Sequence, residues 1–146
     1  MKNKISIFTG KKLELIRVFT ENEVKLYALL TGDNNPIHLD EKFSQNTRFK
    51  TRICHGMLIG ALFSTIIGTN FPMAIYLKQN LQFMSPVFLN EEIKSTVLIK
   101  EITKKVILLE TNVLKILENK IAIQGEATIL IDNISDYDII KQNQNI

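Results

Sequence analysis

Between Gly56 and Thr69 the chain reads GMLIGALFSTIIGT, apolar on every side and without a single Asp, Glu, Lys or Arg. A helix on a protein surface carries one apolar stripe and one polar face, so a helix apolar all round has to be enclosed. At 1.5 Å per residue the stretch makes a rod of about 20 Å. It falls short of the ~20 consecutive apolar residues that span a bilayer, and two glycines and a serine interrupt its core from Met57 to Gly68. The enclosure must come from elsewhere in the chain, and the second half offers it. AIYLKQNLQF (74–83), EIKSTVLIKEI (92–102), VILLETNVLKI (106–116) and KIAIQGEATILI (120–131) are four long strand candidates rich in β-branched residues. In the last of them Ile121, Ile123, Gly125, Ala127, Ile129 and Ile131 share one face, while Gln124, Glu126 and Thr128 point the other way. That period of two marks an antiparallel sheet with one buried side. The links at Lys104-Lys105 and around Glu118-Asn119 are short enough for hairpins. Helices first and an antiparallel sheet afterwards predict an α+β domain with the apolar helix packed across the sheet.

Upstream, KKLELIRVFT (11–20) reads as a strand, and Thr20-Glu21-Asn22-Glu23 as a capping box that starts a helix. Val24, Tyr27, Ala28 and Thr31 give this helix a mainly apolar face, and Gly32 ends it. A second short helix is expected over Asp40 to Thr47, followed by a loop, TRFKTRICHG. The tail DNISDYDIIKQNQNI has no clear pattern and is expected to fray from about residue 133. A chain of 146 residues with 45% hydrophobic content suits one domain, 1–146, with a real core. Its net charge of +3 comes from 18 basic and 15 acidic residues interspersed along the chain. Without a basic stripe, nucleic-acid binding is disfavoured; a modest positive field suits a phosphate-bearing small molecule equally well. Cys54 is the single cysteine, so no internal disulfide forms. MKNKISIFTG lacks the apolar run of a signal peptide, and a reducing cytoplasm is the expected compartment.

Chemistry points to TGDNNPIHLD (31–40), where Asp33 and one of only two histidines flank an Asn-Asn-Pro turn. The turn itself needs Gly, Asn and Pro for their backbone angles but has no need of a carboxylate and an imidazole. If the turn folds back, both face one small volume, and two groups of different proton affinity at one water are what adding or removing water requires. A cap at Asp33 and a structural hydrogen bond at His38 is the competing reading. A metal is disfavoured, because no third His, Cys or carboxylate sits at suitable spacing, and no Gly-x-Ser-x-Gly elbow is present. The other histidine opens His55-Gly56-Met57, just before the apolar helix. Gly56 at a helix N-terminus offers an unobstructed N–H and the positive end of the dipole to a carbonyl oxygen, or simply permits tight packing. Ser64, eight residues on, lies near the same face and either lines a cavity or is a satisfied core hydroxyl. Cys54 reads as a buried small side chain, and Arg48, Lys50 and Arg52 as a solvated basic run or, secondarily, a phosphate site.

Taken together, Gly32-Asp33-Asn34-Asn35-Pro36-Ile37-His38, Thr47-Arg48-Phe49 and Arg52-Ile53-Cys54-His55-Gly56-Met57 resemble the MaoC-like, (R)-specific enoyl-CoA hydratase family of hot-dog proteins. Ile75-Tyr76-Leu77 and Leu81-Gln82-Phe83 through Pro86-Val87-Phe88 resemble the family's strand after the central helix. The resemblance implies a hot-dog fold and a homodimer joined sheet edge to sheet edge. It also implies hydration of a trans-2-enoyl-CoA, or an acyl-carrier equivalent, to the (R)-3-hydroxyacyl thioester, with no cofactor beyond the CoA of the substrate and no metal. Asp33 and His38 would activate water, Gly56 would bind the thioester oxygen, Ser64 would assist, Asn35 would brace the turn, and Arg48, Lys50 and Arg52 would reach the CoA phosphates. Thioesterases and fatty-acid dehydratases of similar fold place a carboxylate on the central helix, which has none here. A thioesterase, a 3-hydroxyacyl carrier-protein dehydratase and a catalytically silent acyl-thioester binding module are the alternatives.

Overall fold

Along residues 106–115 burial alternates strictly, with Ile107, Leu109, Thr111, Val113 and Lys115 all buried, and this rhythm fixes one face of a sheet. The computed structural model describes residues 5–132 and 137–140. In chain order the elements are β1 (Ile5–Ile7), β2 (Lys12–Val18), α1 (Glu21–Thr31), α2 (Pro36–Leu39), α3 (Glu41–Gln45) and α4 (Gly56–Asn70). There follow β3 (Ala74–Phe83), β4 (Glu92–Thr103), β5 (Val106–Lys115), β6 (Lys120–Ile131) and β7 (Tyr137–Ile139). Five strands form an antiparallel sheet in the order β2-β4-β5-β6-β3. The two expected hairpins are present, each with a left-handed residue at its turn, Lys104 at φ 54° and Asn119 at φ 50°. The α+β class follows as expected.

Helix α4 lays Ile59, Leu62, Phe63, Ile66 and Ile67 against the sheet's inner face, where Ile93, Val97, Leu109, Val113 and Ile129 are fully buried. Each such side chain contributes roughly 1.5–3 kcal/mol by leaving water. The expectation that α4 is surrounded is corrected: Met57, Ala61, Ser64, Thr65, Gly68 and Thr69 are exposed on its other side. One chain supplies cover for one face only.

Three further corrections concern elements that local pattern does not announce. The helix expected over Asp40 to Thr47 is α3, which stops at Gln45 and is capped, as expected, by the Asp40 carboxylate accepting from the Phe43 N–H at 3.0 Å; the one-turn helix α2 directly before it is the element not expected. In β6 the alternation slips, because a register irregularity opposite Val113 and Leu114 buries Ala122 and leaves Ile121 half-buried. The tail holds β7, which pairs in parallel with β1 so that Ile5, Ser6 and Ile7 face Tyr137, Asp138 and Ile139. Tyr137 anchors it, donating its hydroxyl to the Pro72 carbonyl at 2.9 Å and stacking on Phe71. The rest of the tail, 133–136 and 141–146, lies outside the described residues.

Candidate active site

Helix α1 stops at Gly32, whose left-handed φ of 79° lets its N–H donate to the Ala28 carbonyl and swings the chain outward. Asp33 follows and caps what comes next, its Oδ1 accepting from the Asn35 N–H at 3.3 Å. Asn35 in turn caps α2 by accepting from the Ile37 N–H at 3.2 Å, with Pro36 at a first position that has no N–H to satisfy. The dense run of turn residues therefore builds a one-turn helix, and His38 sits on it rather than in a loop. His38 is 9% exposed, and its Nδ1–H donates to the Ile53 carbonyl at 2.8 Å. A carbonyl only accepts, so the bond fixes the tautomer and leaves Nε2 with its lone pair. Burial pushes the His38 pKa below the ordinary histidine value, opposed by the Ile53 bond; His55 lowers it further and Asp33 opposes.

The start of α4 meets this turn from the other side. His55 occupies the N-cap position of that 15-residue helix, yet its side chain makes no capping hydrogen bond. The imidazole instead turns toward the Asp33 turn, with Nε2–H donating to the Asp33 carbonyl at 3.1 Å and Nε2 lying 3.9 Å from Asp33 Oδ2. Its ring packs on His38 at 3.9 Å between centroids and against Tyr27 at 4.9 Å. His55 is 2% exposed, and its Nδ1 is buried without a hydrogen-bond partner among the described residues. With its cap unfilled, α4 presents its first amides, beginning with Gly56, at the positive end of the helix dipole.

Asp33, His38, His55 and Gly56 line a cleft of about 430 Å³ together with Phe83 and Ile123. A methyl on Gly56 would lie 2.7 Å from Phe83 Cε1, so glycine is what allows that ring to rest against the start of the helix. The cleft joins a carboxylate, an imidazole nitrogen able to take a proton and an uncapped helix N-terminus. That set can move protons at one end of a substrate while holding a developing oxyanion at the other.

One ligating atom each from Asp33, His38 and His55 falls within 4.8 Å of the others. The ground on which spacing alone disfavoured a metal is thereby removed, since His55 is a third donor that the fold brings in. These donors are not equally disposable, however. His55 Nε2 is committed to the Asp33 carbonyl, which leaves its lone pair at the buried Nδ1, whereas the His38 bond to the Ile53 carbonyl leaves the Nε2 lone pair free.

The remaining candidates separate. Ser64 is exposed on α4 and is not among the residues that line the cleft. Arg52 is not available to a phosphate: Nε pairs with Glu41 at 3.0 Å and Nη2 with Glu21 at 3.2 Å, clamping α1 to α3. Glu21 is correspondingly held down to about 2, chiefly by the Arg52 bond. Lys50 is exposed at a left-handed φ of 63°, outside the cleft wall. Arg48 does line the cleft, its guanidinium stacked on Phe49 at 4.8 Å. Cys54 is buried as expected, and burial, with Glu91 and Glu23 adding to it, pushes its thiol up to about 12, which removes it as a nucleophile. His55 is the residue that sequence reasoning passed over. Its place between a cysteine and a helix-starting glycine hinted at the amide beside it and gave no sign of what its own ring would touch.

The chain resembles known proteins over most of its length. The MaoC like domain family model matches residues 6–119. An (R)-specific enoyl-CoA hydratase from Rhodospirillum rubrum is 36% identical over 126 residues, covering 84% of this chain and 86% of its own length. A mitochondrial 3-hydroxyacyl-[acyl-carrier-protein] dehydratase from Arabidopsis thaliana is 34% identical over 136 residues, covering 90% and 82%. Among solved structures, the (R)-hydratase from A. caviae involved in PHA biosynthesis superposes with a TM-score of 0.81 at 35% identity, over 84% of this chain and 96% of that one. With matches that run over most of its length, this chain belongs to the MaoC-like domain family and has the hot-dog fold.

Proposed function

We propose that this protein is a hydro-lyase that adds water reversibly, in syn fashion, to a trans-2-enoyl-CoA, giving the (R)-3-hydroxyacyl-CoA. The observation that carries the reading is the meeting of Asp33 and His38 Nε2 beside the uncapped start of α4. A water held by Asp33 and His38 would give up a proton to this pair as its oxygen bonds to C3. Electron density then moves onto the thioester oxygen, which the Gly56 N–H would receive. The proton returns from the pair to C2 on the same face, so the whole of one water is added and no cofactor is consumed. Asn35 supports the site by capping α2.

Run backwards on a carrier-protein thioester, the same steps are a 3-hydroxyacyl dehydration, and the Arabidopsis relative is named for that reaction. Arg48, which lines the cleft, would contact a phosphate of either carrier. We further assign the working form as a homodimer joined along β3. This edge strand exposes Ile75, Leu77 and Phe83, and beside it one face of α4 is left uncovered by the described residues. A chain with one thiol and no disulfide suits a reducing compartment, and the cytoplasm is the proposed one.

Loss of enoyl thioester absorbance with crotonyl-CoA and longer homologues tests the reaction, and protein inert toward every chain length refutes it. Release of free thiol would indicate a thioesterase instead. Asp33→Asn and His38→Gln are each expected to lower kcat ~100-fold or more in folded protein, as loss of a general acid or base does.

A further inference from the structure

We propose that His55 is a positioning residue for this hydration site, an assignment that rests on the reading above: its imidazole ties down the Asp33 turn, backs the His38 ring and leaves the α4 cap open. Helix N-caps are usually Ser, Thr, Asp or Asn, whose side-chain oxygens accept from the first amides of the helix. Position 55 forgoes that bond, and its ring reaches back 22 residues along the chain to the Asp33 carbonyl. Its second nitrogen is buried with no partner, an arrangement that a side chain present only to fill space avoids, because an unpaired buried polar atom is costly. An apolar ring would occupy the same volume without that cost. What it would lack is the donor to Asp33.

The contacts divide the work. The Nε2–H bond fixes the backbone of the residue whose carboxylate faces the cleft, and Asp33 Oδ2 stays 3.9 Å from the same nitrogen. The ring face lies 3.9 Å from His38, which is held at its edge by the Ile53 carbonyl, so His38 is restrained both in its plane and across it. Because the imidazole has turned away from α4, no side chain caps the first turn of that helix. One side chain thus sets the relative placement of the proton-transfer pair and the oxyanion site, where a displacement of about 1 Å costs ~100-fold in rate.

Two substitutions separate the donor from the ring. His55→Phe keeps an aromatic face and removes the donor; His55→Gln removes the ring and retains an amide N–H in reach of the Nε2 position. With crotonyl-CoA, His55→Phe is expected to lower kcat about 10–100-fold with KM within about twofold, and His55→Gln to recover to within about fivefold of wild type. Independently of turnover, amide hydrogen exchange at residues 33–35 is expected to quicken about tenfold in His55→Phe and to return toward wild type in His55→Gln, with the β4, β5 and β6 core unchanged. Equal rates in the two variants, or unaltered exchange at 33–35 in His55→Phe, overturn the proposal. If wild-type protein is inert on all enoyl-CoAs, the functional reading falls and the exchange measurement still decides whether His55 anchors the turn. Should the phenylalanine variant not fold, the wild type decides alone: its two imidazoles should give one ring protonated at Nδ1 and one at Nε2 in a nitrogen-15 spectrum. Two rings of one tautomer refute the assignment.

Discussion

At the scale of single residues, the meeting of Asp33 and His38 at one cleft was legible because they lie five positions apart around a turn whose chemistry is local. His55 was not, because its contact with Asp33 spans 22 residues and depends on how α4 meets the turn. Ser64 was misplaced for a simpler reason: at 3.6 residues per turn, eight positions advance the helix by two turns and about 80° more, enough to carry it off the face of Gly56. Arg52 looked like a free cation since its partners, Glu21 and Glu41, lie on helices distant in sequence. His38 also sets a pH dependence whose sign follows from its environment. Its pKa is lowered on folding, mainly by burial, so below the ordinary value near 6.5 the unfolded chain takes up the proton more readily than the folded one. Its contribution to stability is whole above that pH and is lost as pH falls through the lowered value. Urea midpoints measured from pH 7 down to pH 5 should therefore drop less steeply for His38→Gln than for wild type; parallel curves would place the proton elsewhere.

Among the elements, those that carry their own periodicity were readable from the sequence: β3 matches its expected bounds, β4 and β5 come within a residue, and the capping box of α1 is formed by Thr20 and Glu23. Elements defined by distant pairing were not, and β1 with β7 is the clear case, two three-residue strands that mean nothing until they meet. Gly125 shows what strand patterning misses in the other direction. It passed as a small member of an apolar face, but a methyl built there would lie 2.0 Å from the Asn80 carbonyl oxygen, so β6 needs glycine for β3 to approach. Gly125→Ala should destabilise the fold by about 3 kcal/mol, the upper end of ordinary overpacking, because backbone rather than a flexible side chain has to move. Chemical denaturation of the variant reads this directly, and a change within error of zero would show that the strands separate freely.

For the molecule as a whole, the sheet leaves β3 as an edge with Ile75 46% and Leu77 53% exposed, a row that pairs readily with another strand. Leu77→Lys should shift the protein from dimer to monomer at micromolar concentration in light scattering; wild type that is monomeric there removes the proposed assembly. The sequence implied such an edge only through family resemblance, since no local pattern distinguishes an edge strand from a central one. At the opposite end of scale from the cleft, the pair of β1 and β7 joins segments that bracket nearly the whole described fold. Because these strands run parallel, tension arriving through residues before Ile5 and after Ile139 would pull on the pair from opposite ends. Its hydrogen bonds, such as that from the Ile140 N–H to the Ile7 carbonyl, would be loaded together in shear rather than peeled one by one. The clasp is thus a mechanical fuse, taking a pull on the chain before the sheet that shapes the cleft feels it.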